Sequence, residues 1–161
     1  MPGLTPFQTV GPYLSIGLRV GVAPADRSGQ VVIRGRLIDG AGQPIPDGII
    51  EWWHPTLPGV MRSLTSNDGE FAIAIVKPRG RHAAGQVEAP HVAVRILARG
   101  ILTQYATRMY FSDEPATVED AVLHLVPEAR RHTLIAERQA ENEYRFDVIV
   151  QGDNETVFFE I

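Results

Sequence analysis

The run Ala89-Pro90-His91-Val92-Ala93-Val94, continuing into Arg95-Ile96-Leu97-Ala98-Arg99-Gly100, carries one imidazole where a metal clamp needs two. Strand side chains alternate faces, so a His-x-His pair would aim both rings at one point. Here the second position is Ala93, which supplies no ligand atom. A strand shaped to hold a metal but short of a ligand points to a subunit serving a site built mainly by another chain. Taken alone, His91 reads as a hydrogen-bonded structural histidine. His54, His82 and His91 with a carboxylate would suit a two-histidine, one-carboxylate iron site, yet their scattered spacing gives that set no support.

The elements that must position these residues are short strands. Val31, Ile33 and Leu37 share one strand face, with Arg34 and Arg36 on the other. Asp39-Gly40-Ala41-Gly42 reads as a tight turn, because glycine supplies the positive φ such turns require. Ile49 to His54 is a second strand, rich in the β-formers Ile and Trp. Trp52 and Trp53 fall on opposite faces, one for the core and one for a loop or partner. Ser66-Asn67-Asp68-Gly69 marks another turn, leading to Phe71, Ile73 and Ile75 on one face. Residues 81–90 read as a loop before the His91 strand. The clearest alternation sets Tyr144, Phe146, Val148 and Val150 against Glu143, Arg145, Asp147 and Gln151. Pro127 to Leu134 is the stretch suited to a short helix, with proline at its first position. Arg130-Arg131 would then be a solvated helix face. Residues 1–20 show no helical period and read as an extended arm. The expected class is all-β, a sandwich of mostly antiparallel strands with an N-terminal arm and one short helix.

Composition sets the limits. A chain of 161 residues with 44% hydrophobic and 21% charged residues is expected to fold as one domain over 1–161. Its net charge of −4, from 15 basic and 19 acidic residues, comes without a long basic run. Nucleic-acid binding is therefore not expected, since phosphate contacts need clustered Lys and Arg. With no cysteine there is neither a disulfide scaffold nor a thiolate metal site. No stretch reaches the length of a membrane span, and residues 1–20 lack a charged start followed by an apolar run. A cytoplasmic protein is the expectation.

The residues also accumulate into a resemblance. Thr5-Pro6-Phe7-Gln8-Thr9-Val10-Gly11-Pro12-Tyr13 with Ile16-Gly17-Leu18 resembles the arm of intradiol ring-cleaving dioxygenases. The likeness runs on through Gly35-Arg36-Leu37-Ile38-Asp39-Gly40 and Pro46-Asp47-Gly48-Ile49-Ile50-Glu51-Trp52-Trp53. It takes in Lys77-Pro78, Ala89-Pro90-His91, Ala98-Arg99-Gly100, Arg108-Met109-Tyr110-Phe111, Tyr144-Arg145-Phe146-Asp147 and the terminal Gly152 to Phe159. Nearly the whole chain is covered, and the alpha-type chains of the heteromeric members are the nearest in pattern.

In that family the iron-carrying beta chain holds Fe(III) with two tyrosinates and two histidines, hard phenolate oxygens suiting ferric iron. This chain departs at three of the four positions. Neither Thr56 to Asn67 nor residues 79–90 contain a tyrosine, and Ala93 stands in place of the second histidine. The expectation is no metal ligand and no catalytic residue on this chain. The resemblance implies instead that it walls a pocket whose Fe(III) belongs to a partner beta chain, with arm residues 1–20 contacting that partner. Thr9, Gly11, Pro12 and Tyr13 match positions lining the pocket, and Arg99 matches the arginine facing the substrate carboxylate. A guanidinium fork meets a carboxylate in two parallel bonds, which lysine cannot copy. On a straight strand Arg99 lies roughly 26 Å from His91, so the ruined metal position and the carboxylate reader are separate places. The implied reaction is O₂-dependent ring cleavage of 3,4-dihydroxybenzoate to 3-carboxy-cis,cis-muconate by a hetero-oligomer. Two alternatives stand beside it: a non-catalytic β-sandwich module binding an aromatic acid or a partner protein, and a homomeric dioxygenase with an unrelated metal shell.

Overall fold

Apolar alternation runs through most of the chain, and the strands follow it. The computed structural model describes residues 6–11, 13–17, 30–57, 59–83 and 85–160. Pro12 and the rest of the arm, 1–5 and 18–20, lie outside the described residues. In chain order the elements are α1 (Leu14–Gly17), β1 (Val31–Ile38), β2 (Ile49–Trp53), β3 (Met61–Leu64) and β4 (Glu70–Ile75). The hairpin strands β5 (Arg81–Ala83) and β6 (Gln86–Glu88) follow, then β7 (His91–Leu97) and β8 (Tyr105–Phe111). A 3₁₀ turn (Pro115–Glu119), α2 (Ala121–Leu125) and a 3₁₀ segment (Glu128–Leu134) precede β9 (Ile135–Ala140), β10 (Glu143–Arg145) and β11 (Val148–Ile149).

Nine strands form one sheet in the order β11-β1-β10-β9-β8-β7-β2-β3, with β4 paired to β1. The sheet folds over on itself because β9 serves both halves. Ile135 and Ala136 pair in parallel with β8, and the rest of β9 pairs antiparallel with β10. The interior between the halves holds Ile33, Leu37, Trp52, Val94, Met109, Phe111, Tyr144 and Phe146. Trp52 is fully buried, whereas Trp53 next to it is 48% exposed, as strand alternation requires. Each fully buried large apolar side chain contributes about 1.5–3 kcal/mol. A second cluster, Ala89, Tyr110, Leu123, Val126 and Leu134, packs the helical turns against one end of the β7–β8 outer face.

Several details differ from the pattern read along the chain. Residues 81–90 are not a plain loop: β5 and β6 pair antiparallel around Gly85 (φ 78°), tied by an Arg81–Glu88 ion pair. Tyr144 to Val150 is not one strand. It breaks at Phe146-Asp147, where the Asp147 carboxylate accepts the Arg36 amide at 2.9 Å. The expected helix over Pro127–Leu134 is 3₁₀ and begins after Pro127. Arg130 and Arg131 are not simply solvated, since they donate to the carbonyls of Glu155 (2.7 Å) and Val126 (3.0 Å). The expected turns do form. Asp39 Oδ1 accepts the amides of Ala41 and Gln43, and Ser66 Oγ accepts those of Asp68 and Glu70.

Candidate functional site

Register places the chemistry-bearing residues on the outer face of the β2–β7–β8 sheet. Trp53 is opposite Ala93, which is opposite Arg108, and His91 is opposite Tyr110. His91 is buried, and its Nδ1–H donates to the Ala89 carbonyl at 2.8 Å, leaving Nε2 as the acceptor in the neutral ring. The His54 ring stands edge-on to it with centroids 5.4 Å apart. His54 Nδ1 accepts the Thr56 amide at 3.2 Å, which keeps that nitrogen unprotonated. Burial, then the neighbouring His91 and the cationic Arg81 and Arg108, pull His54 down to about 4. Burial lowers His91 as well, against the opposing pull of its bond to the Ala89 carbonyl.

These residues do not fit ferric iron. The nearest phenol, Tyr110, has its ring centroid 5.7 Å from that of His91, but it is held protonated. Burial first, then the Asp120 carboxylate that accepts its hydroxyl at 2.8 Å, push its pKa upward. Asp120 is itself engaged, accepting the amides of Ala89, Val122 and Leu123 at 2.9, 3.0 and 2.9 Å. Burial works against its charge, and these donors outweigh that and keep its pKa low. Glu88, the other carboxylate acting on both rings, is ion-paired with Arg81, so the two imidazoles stand without a free anionic oxygen of the kind Fe(III) requires. Among the described residues no group of three or more His, Asp or Glu is placed to hold a metal ion. His82 is exposed on β5.

Arg99 lies just past the far end of β7, in a turn where Gly100 has φ 87° and the Ile101 amide returns to the Ala98 carbonyl. The Gly100 amide donates to Thr9 Oγ1 at 2.7 Å, so the arm docks beside Arg99. Arg99 Nη2 meets Asp47 Oδ2 at 3.2 Å, with both side chains about half exposed. Such a pair adds about 0–1 kcal/mol to stability, so its consequence is orientation of the guanidinium. Asp47 itself has φ 58°, a left-handed conformation that Asp tolerates better than most residues. Tyr13 is 76% exposed. Gly11 is exposed too, and among the described residues other than its chain neighbours no atom lies within 4 Å of a Cβ placed there. The fold thus brings together Thr9 and Arg99, leaves Gly11 and Tyr13 on the surface of the arm, and keeps His91 at the other end of β7.

Two features escaped the reading of the chain. Asp47 was part of a turn-like Pro-Asp-Gly string, and nothing local pairs it with a residue 52 positions away. Asp120 carried one signal, an acidic residue just ahead of an apolar run, which is the pattern of a helix N-cap. Its reach to Ala89 and Tyr110 is a tertiary fact.

No protein-family profile matches the chain. It is 38% identical to the protocatechuate 3,4-dioxygenase alpha chain of Burkholderia cepacia, over 98% of this chain and 97% of that one. The alpha chain of Pseudomonas putida is 35% identical, over 97% and 96%. The Burkholderia cepacia beta chain of the same enzyme is 22% identical over 79% of this chain and 66% of its own length. Among solved structures, hydroxyquinol 1,2-dioxygenase from Pseudomonas putida DLL-E4 superposes with a TM-score of 0.62 at 19% identity. That match covers 80% of this chain and 58% of the other and concerns the fold alone. Similarity at this level along almost its full length means that the chain belongs to the intradiol dioxygenases, in the family of protocatechuate 3,4-dioxygenase alpha chains.

Proposed function

We propose that this chain is the alpha subunit of a heteromeric intradiol dioxygenase, cytoplasmic, with Fe(III) held by a beta chain and none held here. The enzyme opens the ring of 3,4-dihydroxybenzoate between its hydroxyls, and both atoms of O₂ enter the product, 3-carboxy-cis,cis-muconate. The observation that supports this division is the edge formed where Thr9 of the arm meets the Arg99-Gly100 turn, at the opposite end of β7 from His91. On this reading the chain forms one domain whose arm, residues 1–20, reaches the partner. Thr9, Gly11, Pro12 and Tyr13 line the partner's pocket, and Arg99 takes the substrate carboxylate. Fe(III) in the partner supplies the activation of the catechol toward O₂. The contribution of Arg99 is binding and orientation, which act through proximity.

The test is co-expression with a candidate iron-carrying beta chain. The expected outcome is a stable complex with the red-brown colour of tyrosinate–iron and O₂ uptake on protocatechuate, while this chain alone is colourless. A chain that stays alone and colourless with every such partner supports the second reading, a non-catalytic β-sandwich module. The iron-incompatible surroundings of His91 are what favour that alternative. Iron near one atom per chain in the isolated protein would overturn both readings.

A further inference from the structure

In the β2–β7 ladder Ile49 pairs with Leu97. Carried two residues past that end, the same register sets Asp47 against Arg99, and there Asp47 Oδ2 meets Arg99 Nη2 at 3.2 Å. An ion pair this exposed adds little to stability. The backbone that presents Asp47 is nevertheless built at a cost. Among the described residues Asp47 is the one non-glycine with a positive φ, 58°. A residue with a Cβ is strained there, and strain of this kind persists where the surroundings impose it and gathers at functional sites.

Thr65, buried beneath the turn, supplies the hold. Its Oγ1 accepts the Gly48 amide at 2.7 Å and donates to the Ile45 carbonyl at 2.9 Å, bracing the chain on both sides of Asp47. The Thr65 amide donates to the Gly48 carbonyl at 2.9 Å, and the Ile45 amide to the Leu37 carbonyl at 2.9 Å. A Cβ on Gly48 would lie 2.7 Å from Leu37 Cδ2, so the chain here rests directly on the core. Across the gap, the Arg99 turn is pinned by the Ile101 amide on the Ala98 carbonyl and by the Gly100 amide on Thr9 Oγ1. Both backbones are thus fixed. What the Asp47 carboxylate can still set is the long, rotamer-rich side chain of Arg99.

An arginine gives up rotamer freedom when it binds a ligand, and a neighbour that has already oriented it reduces that loss. The Nη2–Oδ2 contact is longer than the roughly 2.7–2.9 Å of a tight charge-assisted bond. It is loose enough to direct the guanidinium without sealing its fork. We propose that Asp47 is a positioning residue for the substrate carboxylate: from its braced left-handed turn it holds the Arg99 guanidinium in one orientation. This rests on the carboxylate-binding role given to Arg99 above.

The test is steady-state O₂ uptake by the alpha–beta complex with protocatechuate and with catechol. The readout is the ratio of KM for protocatechuate to KM for catechol, which a general loss of structure would not move in one direction. Glycine takes a positive φ freely and Asn tolerates it, so Asp47→Gly and Asp47→Asn both keep the turn. Asp47→Gly should raise the ratio about two- to fivefold, the scale of an exposed ion pair. Asp47→Asn should raise it less, because its amide oxygen still accepts from Nη2 without the charge. In an Arg99→Ala background, Asp47→Gly should add nothing, since its effect passes through Arg99. A ratio that stays level or falls in Asp47→Gly while Arg99→Ala raises it overturns the positioning role alone. A further rise in the double variant overturns it too. A ratio unmoved by Arg99→Ala overturns the role of Arg99, and this inference with it.

Discussion

Arg99 and His54 are governed by opposite conditions, one facing solvent and the other shut away from it. Arg99 is half exposed and pairs with Asp47 through Nη2, and on the proposed reading its guanidinium takes the substrate carboxylate. Replacing it with Ala in the alpha–beta complex should raise KM for protocatechuate about 10–100-fold, the cost of losing hydrogen bonds to a charged group. Turnover of catechol, which lacks the carboxylate, should change little, and Arg99→Lys should restore only part of the loss. Oxygen uptake with both substrates measures the split, and an unchanged KM would remove Arg99 from the pocket. His54 makes a prediction about acid. Above its ordinary value of 6.5 it is neutral both folded and unfolded and contributes no pH dependence. Below 6.5 the unfolded chain takes up a proton that the folded chain resists until about 4, so stability falls across that window. The loss should be on the order of 1–3 kcal/mol. Urea midpoints at pH 7.5 and 5.0 should show it, and His54→Asn, which does not titrate, should reduce the difference, leaving the part that His91, also lowered by burial, contributes.

At the scale of elements, the loop entering β7 is held by a buried carboxylate. Asp120 caps α2 through Val122 and Leu123 and reaches across to the Ala89 amide and the Tyr110 hydroxyl. Asp120→Ala leaves those donors without an acceptor and should cost about 2–4 kcal/mol, read from thermal melting. Asp120→Asn keeps an acceptor and should cost less. Strand β1 depends on a close approach. A Cβ at Gly35 would lie 1.8 Å from the Phe146 carbonyl oxygen and 2.7 Å from the Phe71 ring. The first contact is backbone, which cannot rotate away, so Gly35→Ala must pry β1 from the Phe146 crossing. A destabilisation of at least about 2 kcal/mol is expected, seen as a lower denaturant midpoint. Lys77 is a further tie between elements, bonded to Asp113, Glu114 and the Tyr144 hydroxyl at 3.0, 2.7 and 3.1 Å. Burial opposes its charge, and these three acceptors outweigh it and raise its pKa.

For the molecule as a whole, the consequence is a chain whose two faces of interest sit at opposite ends of one strand. The arm edge at Arg99 belongs to assembly on the proposed reading. The face around His91 carries two imidazoles and a Tyr110 held protonated. Purified alone, the chain should come out without bound iron and should not take up O₂ with protocatechuate. Added ferric salt should not produce the tyrosinate–iron absorption, because Tyr110 is held as a phenol. No helix among the described residues is long and apolar enough to cross a membrane.

Much of this was legible along the chain because strand geometry is local. A period of two places Trp52 inward and Trp53 outward, and it sets Val31, Ile33 and Leu37 on one face, whatever the rest of the fold does. Whether a tyrosine or a second histidine stands at a given position is legible for the same reason, since the residues themselves decide it. Partnerships between distant residues were not. Asp47 with Arg99, Thr9 with Gly100 and Asp120 with Ala89 join segments whose separation in sequence carries no periodic signal. Local sterics and side-chain chemistry determine which groups each strand presents. Only the pairing of strands decides which of those groups meet, because that depends on contacts made across the whole folded chain.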